Sequence, residues 1–128
     1  MNVVDSCGWI EYLIDGPNAA FFAAAIEDEE ELVVPALSLL EVCRWVLRRS
    51  GKDGALRAVE AMSRGRAAAL DAALAVEVAR VSVERDLPLA DSVILATAYS
   101  HGAVLWTQDE HFEGLPDVRY KAKVREAK

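Results

Sequence analysis

Histidine and cysteine are almost missing from these 128 residues, with two of each: His101 and His111, Cys7 and Cys43. Neither cysteine sits in a CxxC or Cys/His spacing, so a zinc site of the usual N/S type has no ligand set. Two isolated thiols in an aliphatic chain point to a reducing compartment, the cytoplasm, though sequence alone leaves a Cys7–Cys43 disulfide open. Seven glycines and four prolines are too few for a collagen-like or low-complexity chain. No phosphate-binding or dinucleotide glycine fingerprint occurs. The longest stretch without Asp, Glu, Lys or Arg, Ser92 to Gln108, carries Ser, Thr, Tyr, His, Gly and Gln, which is too polar to span a bilayer. Asp5 follows the first four residues with no basic segment before it, so no signal peptide is expected.

Positive charge is also short, 14 Lys+Arg against 21 Asp+Glu, for a net charge of −7. An acidic surface repels a polyphosphate, so the average argues against a nucleic-acid partner, but an average does not locate charges. Apolar residues, by contrast, are abundant at 53%. That composition belongs to a folded chain, and the length suits one domain over residues 1–128 that needs no disulfide or metal staple.

Short apolar runs alternate with helical patterns. Strands are expected at Asn2 to Asp5, Leu32 to Pro35, Ala67 to Leu70, Ala103 to Thr107 and Val118 to Tyr120. Helices are expected at Cys7 to Ile14, Asn18 to Asp28, Ser38 to Ser50, Gly54 to Ser63, Ala72 to Arg85 and Ala90 to Ser100, with a single turn at Asp109 to Phe112. Gly51 is read as a break and Asp53 as the next N-cap. Strands alternating with helices favour an α/β domain with a largely parallel sheet.

Four acids share a setting in that scheme. Asp5 ends the first strand, Glu41 lies in the first turn after the second, Asp91 begins the helix after Pro88, and Asp109 follows the strand ending at Thr107. Strand ends and the helix starts after them lie on one edge of a parallel sheet, where such folds bind ligands. Taken singly, each acid has a plain reading. Ser38 and Glu41 form a capping box, and Asp5, Asp91 and Asp109 are N-caps or first-turn charges, worth about 0.5–2 kcal/mol each. Taken together, four converging carboxylates repel one another, by about 4 kcal/mol per close pair at an effective dielectric of 20. Such a cluster calls for cations or raised pKa values. Hard Mg²⁺ or Mn²⁺, one ion or two, suits oxygen ligands. Ser6 and Thr107 stand beside the acids with hydroxyls able to position a carboxylate, a water or a phosphate oxygen. The plain alternative for each is an ordinary turn hydroxyl.

Val3-Val4-Asp5-Ser6-Cys7-Gly8-Trp9-Ile10, Pro35 to Val42 (PALSLLEV), Leu87 to Ala98 (LPLADSVILATA) and Thr107-Gln108-Asp109-Glu110-His111-Phe112 together resemble the four segments of PIN domains, specifically VapC-like toxins of toxin–antitoxin pairs. Cys7-Gly8 stands where many relatives carry serine or another residue, which leaves the acid pattern intact. The resemblance implies a three-layer α/β/α sandwich around a parallel sheet of about five strands. It further implies a metal-dependent endoribonuclease acting as a toxin, inhibited by a small cognate antitoxin. On it, Asp5, Glu41, Asp91 and Asp109 are the metal-binding catalytic set, with Ser6 and Thr107 positioning. His101 and His111 rank lower. The rival is a catalytically idle PIN-like module whose acids cap helices and whose surface binds a partner. A haloacid-type phosphatase would need an Asp where Cys7 stands, and a receiver domain would need a middle-strand Asp and a nearby Lys.

The basic residues are unevenly placed. Arg44 to Arg66 holds seven against two acids, and Arg119 to Lys128 holds five against Glu126. Arg44, Arg48 and Lys52 recur at i, i+4 and i+8 just after Glu41, a face suited to guiding RNA toward the acids. Trp9, Tyr12, Leu13, Phe21 and Phe22 crowd two short early helices, which offers apolar surface for an antitoxin helix or a homodimer.

Overall fold

The computed structural model describes residues 1–125. Strand β1 (Asn2–Val4) leads into helix α1 (Ser6–Leu13) and then α2 (Ala19–Ile26). The acidic run Glu29–Glu31 forms an exposed 3-10 turn before β2 (Leu32–Pro35). Helix α3 (Ala36–Met62) is followed by β3 (Arg66–Ala68), α4 (Ala72–Arg85), α5 (Leu89–Ser100) and β4 (Val104–Thr107). A 3-10 turn at Glu110–Phe112 and β5 (Val118–Tyr120) complete the order.

All five strands pair in parallel in the order β3-β2-β1-β4-β5. The central strands β2, β1 and β4 are covered on both faces, and this explains why they are near-continuous apolar runs, whereas the edge strands β3 and β5 carry the exposed Arg66 and Arg119. Successive residues point to opposite sides. Val3, Val33 and Leu105 pack under α4 and α5, whereas Val4, Leu32, Val34 and Trp106 pack under α1, α2 and α3. Two separate apolar cores result, one on each side of the sheet, in three layers. The crowded early aromatics divide: Trp9 and Phe22 are fully buried, while Tyr12, Leu13 and Phe21 lie half-buried at the rim.

One local expectation needs correction. Helix α3 begins at Ala36, two residues before the expected Ser38, because Pro35 ends β2 in extended geometry and serves as the N-cap. Ser38 is therefore a helix-interior residue, fully buried, with its Oγ unbonded, and the capping box does not form. Gly51 breaks the helical path as expected, dividing the span Ala36–Met62 into two helical segments across a kink. Its φ of 71° and ψ of −167° interrupt the helical path, a conformation that glycine adopts without steric cost.

Gly8 fixes how closely α1 approaches the sheet. A Cβ there would lie 2.5 Å from the Phe22 ring and 2.8 Å from Val4 Cγ1, both fully buried. Gly8→Ala is expected to cost about 1–3 kcal/mol in urea unfolding, as overpacked core sites do. A variant as stable as the parent would show that α1 shifts freely.

Candidate active site

Because β1 and β4 are neighbours and the chain leaves β1 toward one face, with Trp9 of α1, and β4 toward the other, with Phe112 of the 3-10 turn, their carboxyl ends flank the point where the winding reverses. Asp5 leaves β1 there. Its main-chain N–H donates to Trp106 O at 3.0 Å, holding it against β4. Its carbonyl accepts from Gly8 and Trp9, and Oδ1 accepts from the Ser6 N–H at 2.8 Å, so Asp5 does N-cap α1. That role uses one carboxylate oxygen. The other, Oδ2, accepts from Thr107 Oγ1 at 2.9 Å and from the Cys7 thiol at 3.3 Å.

Thr107 connects two acids. While its hydroxyl donates to Asp5, the same oxygen accepts the Asp109 N–H at 2.9 Å. Asp109 N-caps the turn after β4, taking the His111 N–H on Oδ1 at 3.0 Å. Asp91 projects from the first turn of α5, capping nothing, since Pro88 is the N-cap. Instead, its Oδ2 lies 2.8 Å from His111 Nδ1, which is 3.5 Å from Asp109 Oδ1. One ligand atom from each of Asp91, Asp109 and His111 falls within 4.8 Å of the others. Glu41 approaches from α3, where its Oε1 accepts the Ser6 hydroxyl at 2.7 Å.

Burial shifts the protonation equilibria of the site. Desolvation raises the Asp5 carboxyl to about 6, against hydrogen bonds from Thr107, Cys7 and Ser6, while Asp109 adds to the rise. Asp91 is raised first by burial and then by Asp109, with His111 opposing. The His111 imidazole is raised, chiefly by its bond to Asp91 and next by Asp109. Burial and the Asp5 charge push the Cys7 thiol up to about 12, so it remains a protonated donor to Asp5.

Of the residues expected from sequence, Asp5, Asp109 and Thr107 form one bonded unit, Asp91 joins through His111, and Glu41 joins through Ser6. Arg44 and Arg48 line a cleft of about 450 Å³ with Ser6, Cys7 and Glu41. Lys52 does not line it, because the Gly51 kink intervenes. His111, ranked low in the sequence, is part of the cluster. Its signal was its place two residues after Asp109, close enough for one tight turn to fold it back. His101 instead ends α5, with its Nδ1 beside Thr97 O at 2.9 Å.

These features define a class: a small doubly wound α/β domain whose carboxyl edge concentrates acids suited to a hard cation or a phosphate-bearing substrate. The PIN domain family matches residues 3–118, and the chain belongs to that family. Its fold is shared with a toxin–antitoxin complex from Klebsiella pneumoniae, at TM-score 0.78 and 24% identity over 93% of this chain and 96% of that one. It is shared with VapC20 of Mycobacterium tuberculosis, a sarcin–ricin-loop-cleaving toxin, at TM-score 0.73 and 19% identity, covering 93% and 99%. A protein from Pyrobaculum aerophilum reaches 27% identity and TM-score 0.69, covering 93% and 87%. No curated protein sequence matches the chain. Among the described residues, no helix is long and apolar enough to cross a membrane.

Proposed function

We propose that this protein is a metal-dependent endoribonuclease, the toxin of a toxin–antitoxin pair. The observation that carries the reading is the convergence of Asp91, Asp109 and His111 beside the buried, hydrogen-bonded Asp5 at the carboxyl edge. Mg²⁺ or Mn²⁺ fits this donor set, which is rich in carboxylate oxygens and poor in sulfur. Asp5, Asp91 and Asp109 would hold the ion, with Glu41 beside it. When bound, it supplies an acidified water and neutralises charge developing on the phosphate.

The remaining work falls to side chains already in place. Thr107 holds Asp5 Oδ2 and the Asp109 main chain in fixed relation through one hydroxyl. Ser6 holds Glu41 Oε1. The Cys7 thiol keeps its proton on Sγ, directed at Asp5 Oδ2. Arg44 and Arg48 draw the RNA backbone toward the acids along the α3 cleft. A hollow of about 220 Å³ between α1 and α3, lined by Leu13, Ile14, Trp45, Val46 and Ala58 with Ser50 and Arg57 at its side, would receive an apolar side chain of a partner antitoxin helix.

The N-cap bonds of Asp5 and Asp109 favour the rival reading of an idle module. That reading leaves Asp91 unexplained, since it caps nothing and is partly desolvated. Purified protein is expected to cut single-stranded RNA in Mg²⁺ or Mn²⁺ and to lose that activity in excess EDTA. Cleavage that persists in EDTA would overturn the metal mechanism, and no cleavage with either ion would favour the idle module.

A further inference from the structure

The chain beyond β5 carries cations that the α3 cleft does not use. Arg119, Lys121, Lys123 and Arg125 occupy every second position. The first two are committed to packing, Arg119 over the Trp106 ring at 4.9 Å and Lys121 over Phe21 at 5.8 Å. The other two are exposed and make no ion pair with another described residue.

This segment is tied down beside the acids. The Lys121 N–H donates to Thr107 O at 3.0 Å, which extends the β4–β5 ladder by one bond. One residue further, Ala122 O accepts from Asn18 Nδ2 at 3.0 Å, and the same amide nitrogen donates to Gln108 Oε1 at 3.0 Å. Asn18 is fully buried, so the α1–α2 connection, the loop after β4 and the C-terminal segment meet on one amide. Lys123 and Arg125 therefore wall a cleft of about 460 Å³ together with Cys7, Gln108 and Asp109. Cys7 also lines the Arg44–Arg48 cleft. The two clefts meet at that thiol, with Glu41 on one side and Asp109 on the other.

We propose that Lys123 and Arg125 form a second basic wall, binding phosphates of the RNA strand on the Asp109 side of the acids while Arg44 and Arg48 bind those on the Glu41 side. The proposal rests on the ribonuclease reading and deepens it. A strand drawn toward several carboxylates meets repulsion on both sides of the reacting phosphate, and cations on one flank alone hold only one arm of it. Lysine and arginine aimed at phosphates give register and affinity rather than base choice.

The test compares wild type with Lys123→Ala/Arg125→Ala, Arg44→Ala/Arg48→Ala and Lys123→Arg/Arg125→Lys. Cleavage of a fluorescent single-stranded oligoribonucleotide in Mn²⁺ gives KM and kcat, and anisotropy in EDTA across a salt series gives binding. The tail double variant is expected to raise KM about tenfold with kcat nearly unchanged. It should also flatten the plot of log K against log salt by about 1.4, or about 0.7 for each single-strand phosphate it no longer neutralises. The charge-conserving swap should retain wild-type KM, and melting temperatures should not move, because both side chains are exposed. If wild type cleaves and the tail variant matches it in KM and salt slope, the second wall is wrong and the ribonuclease reading stands. Faster cleavage by the variant would also sink it, since the tail would then be screening its own site. If wild type neither binds nor cleaves RNA, both readings fall together.

Discussion

Asp5→Asn should abolish RNA cleavage while making the metal-free protein more stable. Asparagine keeps the helix cap, being about as good at that position as aspartate, with its amide oxygen on the Ser6 N–H and its NH2 donating to Thr107 Oγ1, whose own proton turns away. What it removes is a buried negative charge. The folded-state pKa of Asp5 is about 6, against 3.8 for the free side chain. A carboxyl raised in this way binds its proton more tightly folded than unfolded, so folding stability falls as pH climbs from about 4 through 6. Above that range the ionised carboxylate costs about 3 kcal/mol, at about 1.4 kcal/mol per pK unit. In EDTA at pH 8 the variant should therefore melt several degrees above wild type, and the gap should close near pH 4, where both side chains are neutral. Adding Mn²⁺ should reverse the order by raising the wild-type melting temperature alone. Cleavage should fall on the order of 10³-fold, as when preorganised charge is removed from a reaction centre. An Asp5→Asn protein that is less stable at pH 8 and still active would show a cap and nothing more.

Stability and activity pull apart here because one residue is asked to do two things. The cap needs one oxygen and would tolerate a neutral group. The proposed site needs the charge, which burial makes costly. Thr107, Cys7 and the Ser6 N–H offset part of that cost, yet the carboxyl remains raised.

Much of this arrangement was legible in the residues. The central strands were readable because a parallel sheet covered on both faces demands near-continuous apolar runs, and Leu32 to Pro35 matches its expected bounds, as does the edge strand Val118 to Tyr120 despite its exposed Arg119. Helix α4 was equally plain, with Asp71 accepting the Leu74 N–H at its start and Asp86 in a left-handed conformation at its end. The start of α3 was not. Ser38 followed by Glu41 carries the pattern of a capping box, but Pro35 ends its strand with ψ of 139°, so the helix starts at once and turns both side chains to other ends. Ser38 goes into the interior, and Glu41 reaches across to Ser6 of α1. Nothing local to Ser38 announces this, because Ser6 lies 35 residues away from Glu41. The part played by His111 was hidden for a similar reason. It depends on a bond to Asp91, 20 residues earlier on another element. The tail cations were visible as a charge run, but their place beside the acids depends on the buried amide of Asn18, 104 residues upstream of its Ala122 partner.

Asp91→Asn gives the cleanest separation of the two readings. Unlike Asp5 and Asp109, Asp91 accepts no main-chain hydrogen bond among the described residues and caps no helix there. Its structural contributions are a negative charge in the first turn of α5, worth about 0.3–1 kcal/mol at such a place, and the surface bond to His111 Nδ1, worth about as little. Against these stand its own desolvation and the nearby charge of Asp109, both of which raise its carboxyl. The opposing effects nearly cancel, so the metal-free variant should melt within about 2 °C of wild type. Its chemistry should not survive. Asp91 contributes one of three ligand atoms that lie within 4.8 Å of one another, and an amide oxygen in its place carries no charge to hold a divalent ion. The Mn²⁺-linked rise in melting temperature should shrink to near zero, and cleavage should fall on the order of 10³-fold with RNA affinity in EDTA unchanged or slightly improved. Loss of activity without loss of fold can come only from a site, because no cap is removed. Retained cleavage, with an intact Mn²⁺ response, would mean that Asp91 is a dipole charge and that the reacting centre lies elsewhere along this edge.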